Sequence, residues 1–176
     1  IDLALAIGDA IANAKSILEQ ANDLAEEGVA LAVFPELCLT GYSAEDLFFS
    51  EALMADTQNA LQHLCTCDIP LLIVGAPWRL SDGRLINCAV AIGNHRVLGM
   101  IPKTFLPNYS EYYEQRWFAS GASVNETEVH DALGTFHIRV DQLFRLGDAL
   151  VGAEICEDLW APVNPGTHAA LSLIHI

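Results

Sequence analysis

The chain of 176 residues is 52% hydrophobic and 18% charged, enough for one domain with a real core and too mixed in sequence for disorder. Twenty-three acidic residues against 8 basic ones give a net charge of −15, which argues against nucleic acid as a partner because no face can supply the Lys and Arg density that phosphate backbones demand. No apolar run approaches the ~18 residues needed to cross a bilayer and no basic leader with a small-residue cleavage site opens the chain, so a cytoplasmic protein without membrane contact is expected.

Leu3-Ala4-Leu5-Ala6-Ile7 is a short continuous apolar run and predicts a strand covered on both faces. Ile11, Ala14, Ile17, Leu18, Ala21, Leu24 and Ala25 recur at three and four, which predicts an amphipathic helix with Asp9 as N-cap and Gly28 as its stop. Val29 to Phe34 reads as a second buried strand. Ser43, with Asp46 three residues on, resembles a capping box that opens a short helix, and a longer helix follows through Leu53, Met54, Leu61 and Leu64. Leu71 to Val74 is the next strand. Leu85 to Ile92 and Arg96 to Ile101 are joined by Gly93-Asn94-His95, where Gly and Asn tolerate positive φ, so a hairpin is expected.

Pro102 to Gly121 is aromatic-rich and without clear periodicity, and Leu133 to Val140 and Ala149 to Ile155 predict two further strands. No linker, composition shift or repeat divides the chain, and alternating helices and strands with one hairpin predict a single layered α/β domain with a mixed sheet. Five cysteines, Cys38, Cys65, Cys67, Cys88 and Cys156, sit scattered in apolar segments and fit reduced thiols better than a disulfide framework. The start at Ile1 and the apolar end from Ala169 to Ile176 read as a piece of something longer.

Buried strands of α/β proteins deliver reactive groups at their C-terminal ends. Glu36 follows Val33-Phe34-Pro35, Pro102-Lys103 follows Val97 to Ile101, and Cys156 follows Val151 to Ile155. Singly, each has a plain reading as a solvated loop charge or an inert buried thiol. Together they offer a general base, a cation and a nucleophile, and Lys103 is one of only two lysines. A cysteine at a strand-to-helix turn gains exposure and the help of a helix N-terminus, while Glu157 and Asp158 beside it would raise the thiol pKa, so a compensating base or cation is required. Glu36 could take the thiol proton and Lys103 could stabilise an oxyanion, which suits acyl transfer from an amide or nitrile to water. His63-Leu64-Cys65-Thr66-Cys67 holds three soft ligands where a structural zinc wants four, so no metal is expected. The six histidines, His63, His95, His130, His137, His168 and His175, stand in no partner motif for a Cys–His hydrolase.

Phe34-Pro35-Glu36-Leu37 with Thr40-Gly41-Tyr42, then Lys103-Thr104-Phe105-Leu106-Pro107-Asn108-Tyr109, then Glu154-Ile155-Cys156-Glu157-Asp158-Leu159-Trp160 resemble, in order, the three motifs of the carbon-nitrogen hydrolase (nitrilase) superfamily. The resemblance runs from about Asp9 to about Ala161. Ala44-Glu45-Asp46-Leu47, the run Tyr112 to Phe118, and the Glu-Asp-Leu-Trp after Cys156 are similar to the N-terminal glutaminase domains of glutamine-dependent NAD synthetases. What it implies is a four-layer α-β-β-α sandwich, with Glu36 as base, Lys103 beside the oxyanion and Cys156 as the nucleophile that forms a thioester. The family's second active-site glutamate is matched by Glu111 on spacing, with Glu114 in reserve; Tyr109 matches a tyrosine of the glutamine pocket, and Glu114 is also a candidate contact to substrate. L-glutamine is the implied substrate, a synthetase domain the implied partner, and a homo-oligomer the implied assembly.

Against the family pattern, Leu171 to Ile176 do not continue the expected helix and strand, and the first strand is short. The sandwich is therefore expected to be truncated at its C-terminus and shortened at its N-terminus. No Gly-rich phosphate loop occurs, so no cofactor is expected in this domain, and ATP and Mg would belong only to a synthetase domain outside residues 1–176. A free-standing amidase acting on a small carboxamide and a fragment without activity are the alternatives.

Overall fold

The protein is described by a computed structural model covering residues 4–125 and 127–173. Helix α1 (Ala10–Glu26) starts where the Asp9 carboxylate accepts the Ala12 N–H at 2.9 Å and stops before Gly28, whose φ of +82° few other residues adopt. Its inward face carries Ala10, Ala14, Ile17 and Ala21, plus the buried Asn13. Residues 4–7, expected as a strand, pair with no sheet: Asn13 satisfies both the N–H and the carbonyl of Ala6 at 2.8 Å each, and Leu5 and Ile7 are exposed. Leu3 lies outside the described residues.

Strand β1 (Leu31–Val33) pairs in parallel with β2 (Leu71–Arg79), which pairs antiparallel with β3 (Leu85–Gly93), and β3 pairs antiparallel with β4 (Arg96–Pro102). The turn between β3 and β4 is made by Asn94 and His95, with φ of 51° and 57°, the two-residue reversal whose twist suits a hairpin; Gly93 remains in the strand. Strand β5 (Thr127–Asp131) pairs antiparallel with β6 (Gly134–Ile138), and β6 lies parallel to β4, which completes a six-stranded mixed sheet in the order β1-β2-β3-β4-β6-β5. A separate ribbon is formed by β7 (Phe144–Leu146) and β8 (Ala149–Val151).

Strands β1, β2, β4 and β6 therefore point the same way, and the segments after β1 and β4 leave the sheet at one end. That end is where Glu36 and Lys103 emerge.

One sheet face packs through Leu72, Val74, Ile86 and Val90 against Ile17 of α1 and Leu61 and Leu64 of α2 (Glu51–Leu64), whose N-cap is Ser50. The other face packs through Leu71, Ile73, Ala89, Ala91 and Ile101 against Phe144 and Val151 of the ribbon and against Ile155. The nitrilase-type α/β layering is thus present, although among the described residues the second sheet is only a two-stranded ribbon. Helix α4 (Pro165–Leu173) abuts it at Gly152, where a Cβ would lie 3.9 Å from that of Ala169. The capping box expected at Ser43 and Asp46 does not form: Tyr42–Phe49 is an irregular 3₁₀ segment without a side-chain cap, and Asp46 instead accepts hydrogen bonds from Arg116 and Trp117.

Candidate active site

Glu36 lies in the tight turn after β1, which crosses directly over β2 at Gly75. A Cβ there would sit 2.2 Å from the Leu37 nitrogen and 2.6 Å from the Pro35 carbonyl, so only glycine admits the crossing. Leu37 takes φ of 51°, and Leu39 N–H bonds the Gly75 carbonyl at 3.1 Å, which holds the turn down on the sheet.

Lys103 follows β4 and is fully buried. Its Nζ donates to Glu36 Oε1 and to Glu114 Oε1, each at 2.6 Å. Burial alone would discharge a lysine, but the two carboxylates outweigh it and the Lys103 pKa is raised. Glu114 opens α3 (Glu114–Trp117), is 1% exposed, and also accepts the Tyr42 hydroxyl at 2.8 Å. Burial, with the Glu36 charge, pushes its pKa up against Lys103 and Tyr42, which pull it down. The single turn of α3 is moored from outside by Asp46, which takes two bonds from Arg116 at 2.8 and 2.7 Å and one from the Trp117 indole at 3.0 Å.

Cys156 has φ of 47°, a left-handed conformation that non-glycine residues rarely adopt and that concentrates at functional turns. The thiol pKa is raised by burial first and by the Glu36 carboxylate next, while Lys103 lowers it. Glu157 and Asp158, expected from the sequence to raise it, turn elsewhere. Glu157 accepts the Tyr109 hydroxyl at 2.8 Å, and Asp158 turns inward. The helix that follows is only the five-residue 3₁₀ turn Cys156–Trp160, too short for a substantial dipole.

Asp158 is 1% exposed and binds three backbone N–H groups from two distant segments. Oδ1 accepts from Thr104 at 3.0 Å and Phe105 at 2.8 Å; Oδ2 accepts from Ile155 at 3.2 Å. The Cys156 turn is thereby tied to the two residues after Lys103.

Glu36, Lys103, Glu114 and Cys156 thus converge on one end of the sheet. Glu36, Ile155 and Cys156 line a cavity of about 120 Å³, and Tyr109 and Glu157 line a wider groove of about 560 Å³ that continues along Phe105 and Leu106. Glu111 is exposed and takes no part in the cluster; the carboxylate bonded to Lys103 is that of Glu114. Sequence spacing did not single out Asn87, Asp158 or Gly75. The signal for Asn87 was its place as the one polar residue inside the apolar run Leu85 to Ile92.

Among the described residues no group of three His, Cys, Asp or Glu side chains is placed to hold a metal ion, and Cys67 is buried in the main core. Among them too, no helix is long and apolar enough to cross a membrane. A carboxylate beside a thiol, with an ammonium shared between two carboxylates, can take the proton from sulfur and stabilise an oxyanion.

Residues 5–171 match the model of the carbon-nitrogen hydrolase family. The glutamine-dependent NAD(+) synthetase of Mycobacterium tuberculosis is 42% identical over 176 residues, covering 94% of this chain and 25% of its own length. That of Thermotoga maritima is 30% identical over 171 residues, covering 95% of this chain and 26% of its own. Among solved structures, the glutamine-dependent NAD(+) synthetase of Cytophaga hutchinsonii superposes with a TM-score of 0.80 at 29% identity, over 88% of this chain and 27% of that one. An amidase from Nesterenkonia sp. AN1 shares the fold, with a TM-score of 0.58 at 18% identity, over 79% of this chain and 52% of that one. The chain spans about a quarter of the length of the synthetases it matches.

Proposed function

Because this chain belongs to the carbon-nitrogen hydrolases, we propose that it hydrolyses the side-chain amide of L-glutamine and passes the ammonia to an ATP-dependent synthetase domain that amidates deamido-NAD. The observation that carries the chemistry is the buried Lys103 ammonium held between Glu36 and Glu114, next to Cys156. The choice of glutamine rests on the names of the relatives.

In the first half, Glu36 takes the Cys156 proton as sulfur attacks the amide carbon, and Lys103 stabilises the negative oxygen. Collapse breaks the C–N bond, the proton held by Glu36 goes to the leaving nitrogen, and ammonia departs from a γ-glutamyl thioester. In the second half, Glu36 takes a proton from water as its oxygen attacks the thioester; C–S cleavage returns that proton to sulfur and releases glutamate. Glu114, rather than Glu111, is our candidate for the second glutamate, since it holds Lys103. Tyr109 and Glu157 border the substrate groove. This half of the chemistry needs no cofactor; ATP and Mg serve the synthetase step alone. A reducing cytoplasmic setting suits the exposed free thiol of Cys156.

The test is ammonia release from L-glutamine by the purified protein beside Cys156→Ala, with L-asparagine and simple aliphatic amides as competitors. Glutamine-selective release that the variant abolishes is the expected result; release from aliphatic amides instead would replace this reading by a free-standing amidase.

A further inference from the structure

Asn87 lies at the third position of β3, 1% exposed, in a strand otherwise built of apolar side chains. Its Nδ2 donates to Glu36 Oε1 at 2.6 Å, and its backbone carbonyl accepts the Lys103 N–H at 2.8 Å. Its own Oδ1 is buried without a protein partner among the described residues. An unpaired buried carbonyl opposes folding, and an apolar side chain of the same size would avoid it, so packing does not account for an amide here. The bond to Glu36 does.

Glu36 Oε1 thus receives two donors at 2.6 Å, Lys103 Nζ from one side and Asn87 Nδ2 from the other. Neither donor occupies Oε2, and Glu36 lines the same cavity as Cys156. We propose that Asn87 is a positioning residue for the base: by holding Oε1 it fixes the carboxylate's rotation, so that Oε2 accepts the Cys156 proton. The proposal rests on the reading of Glu36 as general base.

The titratable and charged groups that face Glu36 are Lys103 after β4, Glu114 from α3, Cys156 from its turn, and Tyr42, whose hydroxyl sits on Glu114. An acid at position 87 would add a like charge on the one side where Glu36 now meets a neutral donor. One of the two would then hold a proton to higher pH.

The experiment compares wild type, Asn87→Asp and Asn87→Ala in two pH profiles: kcat/KM for ammonia release from L-glutamine, and the rate of Cys156 alkylation by iodoacetamide. Asn87→Asp keeps the shape of the residue, so its acid limb is expected to move up by about one pH unit or more in both profiles, with at least a ~100-fold loss of kcat/KM near neutrality. Asn87→Ala removes the donor without adding charge and moves the limb the same way by less, with a ~10-fold loss. A merely structural residue would lower the melting temperature and leave both limbs in place. Limbs unmoved in the folded variants would overturn the proposal. A wild type that does not hydrolyse glutamine, with the alkylation limb still displaced in the variants, would overturn the substrate and leave the positioning role standing.

Discussion

Replacing Asp158 by Asn tests whether one buried carboxylate holds the cysteine turn against the lysine segment. The side chain is closed to solvent and accepts three backbone N–H groups at 2.8 to 3.2 Å. Asn keeps the volume and one acceptor oxygen, which can retain Thr104 and Phe105 as weaker, neutral bonds, while its NH₂ meets the Ile155 N–H donor to donor. One bond is lost, one buried N–H is left without a partner at about 1–3 kcal/mol, and two charge-assisted bonds lose about half their strength, which sums to a loss of about 3 kcal/mol. Burial already disfavours the Asp158 anion and pushes its carboxyl pKa up, so relief of that desolvation keeps the loss from being larger. For a chain of this size, about 3 kcal/mol corresponds to a fall in Tm of about 6–12 °C.

Guanidinium unfolding gives the stability and ammonia release gives the consequence for the site. With Ile155 released, Cys156 can leave its φ of 47°, and a displacement of about 1 Å at the sulfur lowers kcat about 100-fold. A stability change below about 0.5 kcal/mol together with activity within about twofold of wild type would refute the view that Asp158 ties the two segments.

Glu114→Gln should abolish most of the ammonia release, by about 100-fold or more, because Lys103 loses one of its two charged partners, whereas Glu111→Gln on the exposed loop should stay within about twofold; the reverse ranking would return the second-glutamate role to Glu111. Gly75→Ala forces the Pro35 to Leu37 turn off β2, since the new methyl would lie 2.2 Å from a backbone nitrogen; a loss of about 2–4 kcal/mol in urea and near-complete loss of activity are expected, and a soluble, fully active variant would contradict the close crossing. Lys103→Met leaves the Glu36 and Glu114 carboxylates facing each other without a cation, so one of them keeps a proton that the unfolded chain releases near its ordinary pKa of ~4.3. That raised folded pKa makes the variant's stability greatest at low pH and lost as pH rises, so its Tm should be higher at about pH 5.5 than at about pH 8, and a pH-independent deficit would count against it. The same variant should shift Cys156 alkylation to higher pH, since Lys103 is the group that lowers the thiol.

Glu36 and Lys103 are legible because a continuous apolar run followed by Pro marks where a buried strand stops, as at Val33 to Pro35 and at Pro102, whereas the strand expected over Ala149 to Ile155 ends at Val151 and Cys156 follows an irregular segment. Glu114 was not ranked first because its position depends on tertiary mooring: α3 is one turn long, and its aim is fixed by Asp46, 70 residues from Arg116. Spacing from Lys103 carries no record of that contact. The same Asp46 read locally as part of a capping box, a reading that the Arg116 and Trp117 bonds displaced. Residues 4–7 have the composition of a strand, but Asn13 of α1 holds both the N–H and the carbonyl of Ala6, and β5 is hidden in the sequence because Glu128, His130 and Asp131 interrupt its apolar pattern.

The thiol of Cys156 sits above its ordinary pKa, and the helix that follows it is too short to supply compensation. In the mechanism proposed above, a thiolate waiting in the resting state is therefore not what this site is built to hold: sulfur loses its proton as it attacks, to an oxygen within reach at that moment. That requirement explains why so much of the fold converges on one carboxylate. Gly75 lets its turn lie on the sheet, Asn87 and Lys103 fill its first oxygen, Glu114 shares its cation, and Asp158 keeps the sulfur's turn against the lysine's segment. In a chain with a net charge of −15, the single buried ammonium is the scarce component, since without it the thiol, Glu36 and Glu114 would all favour protonation. Loss of the cation should consequently weaken proton transfer and oxyanion stabilisation together, and Lys103→Arg should not restore them: the broader guanidinium cannot occupy the volume in which Nζ meets two oxygens at 2.6 Å.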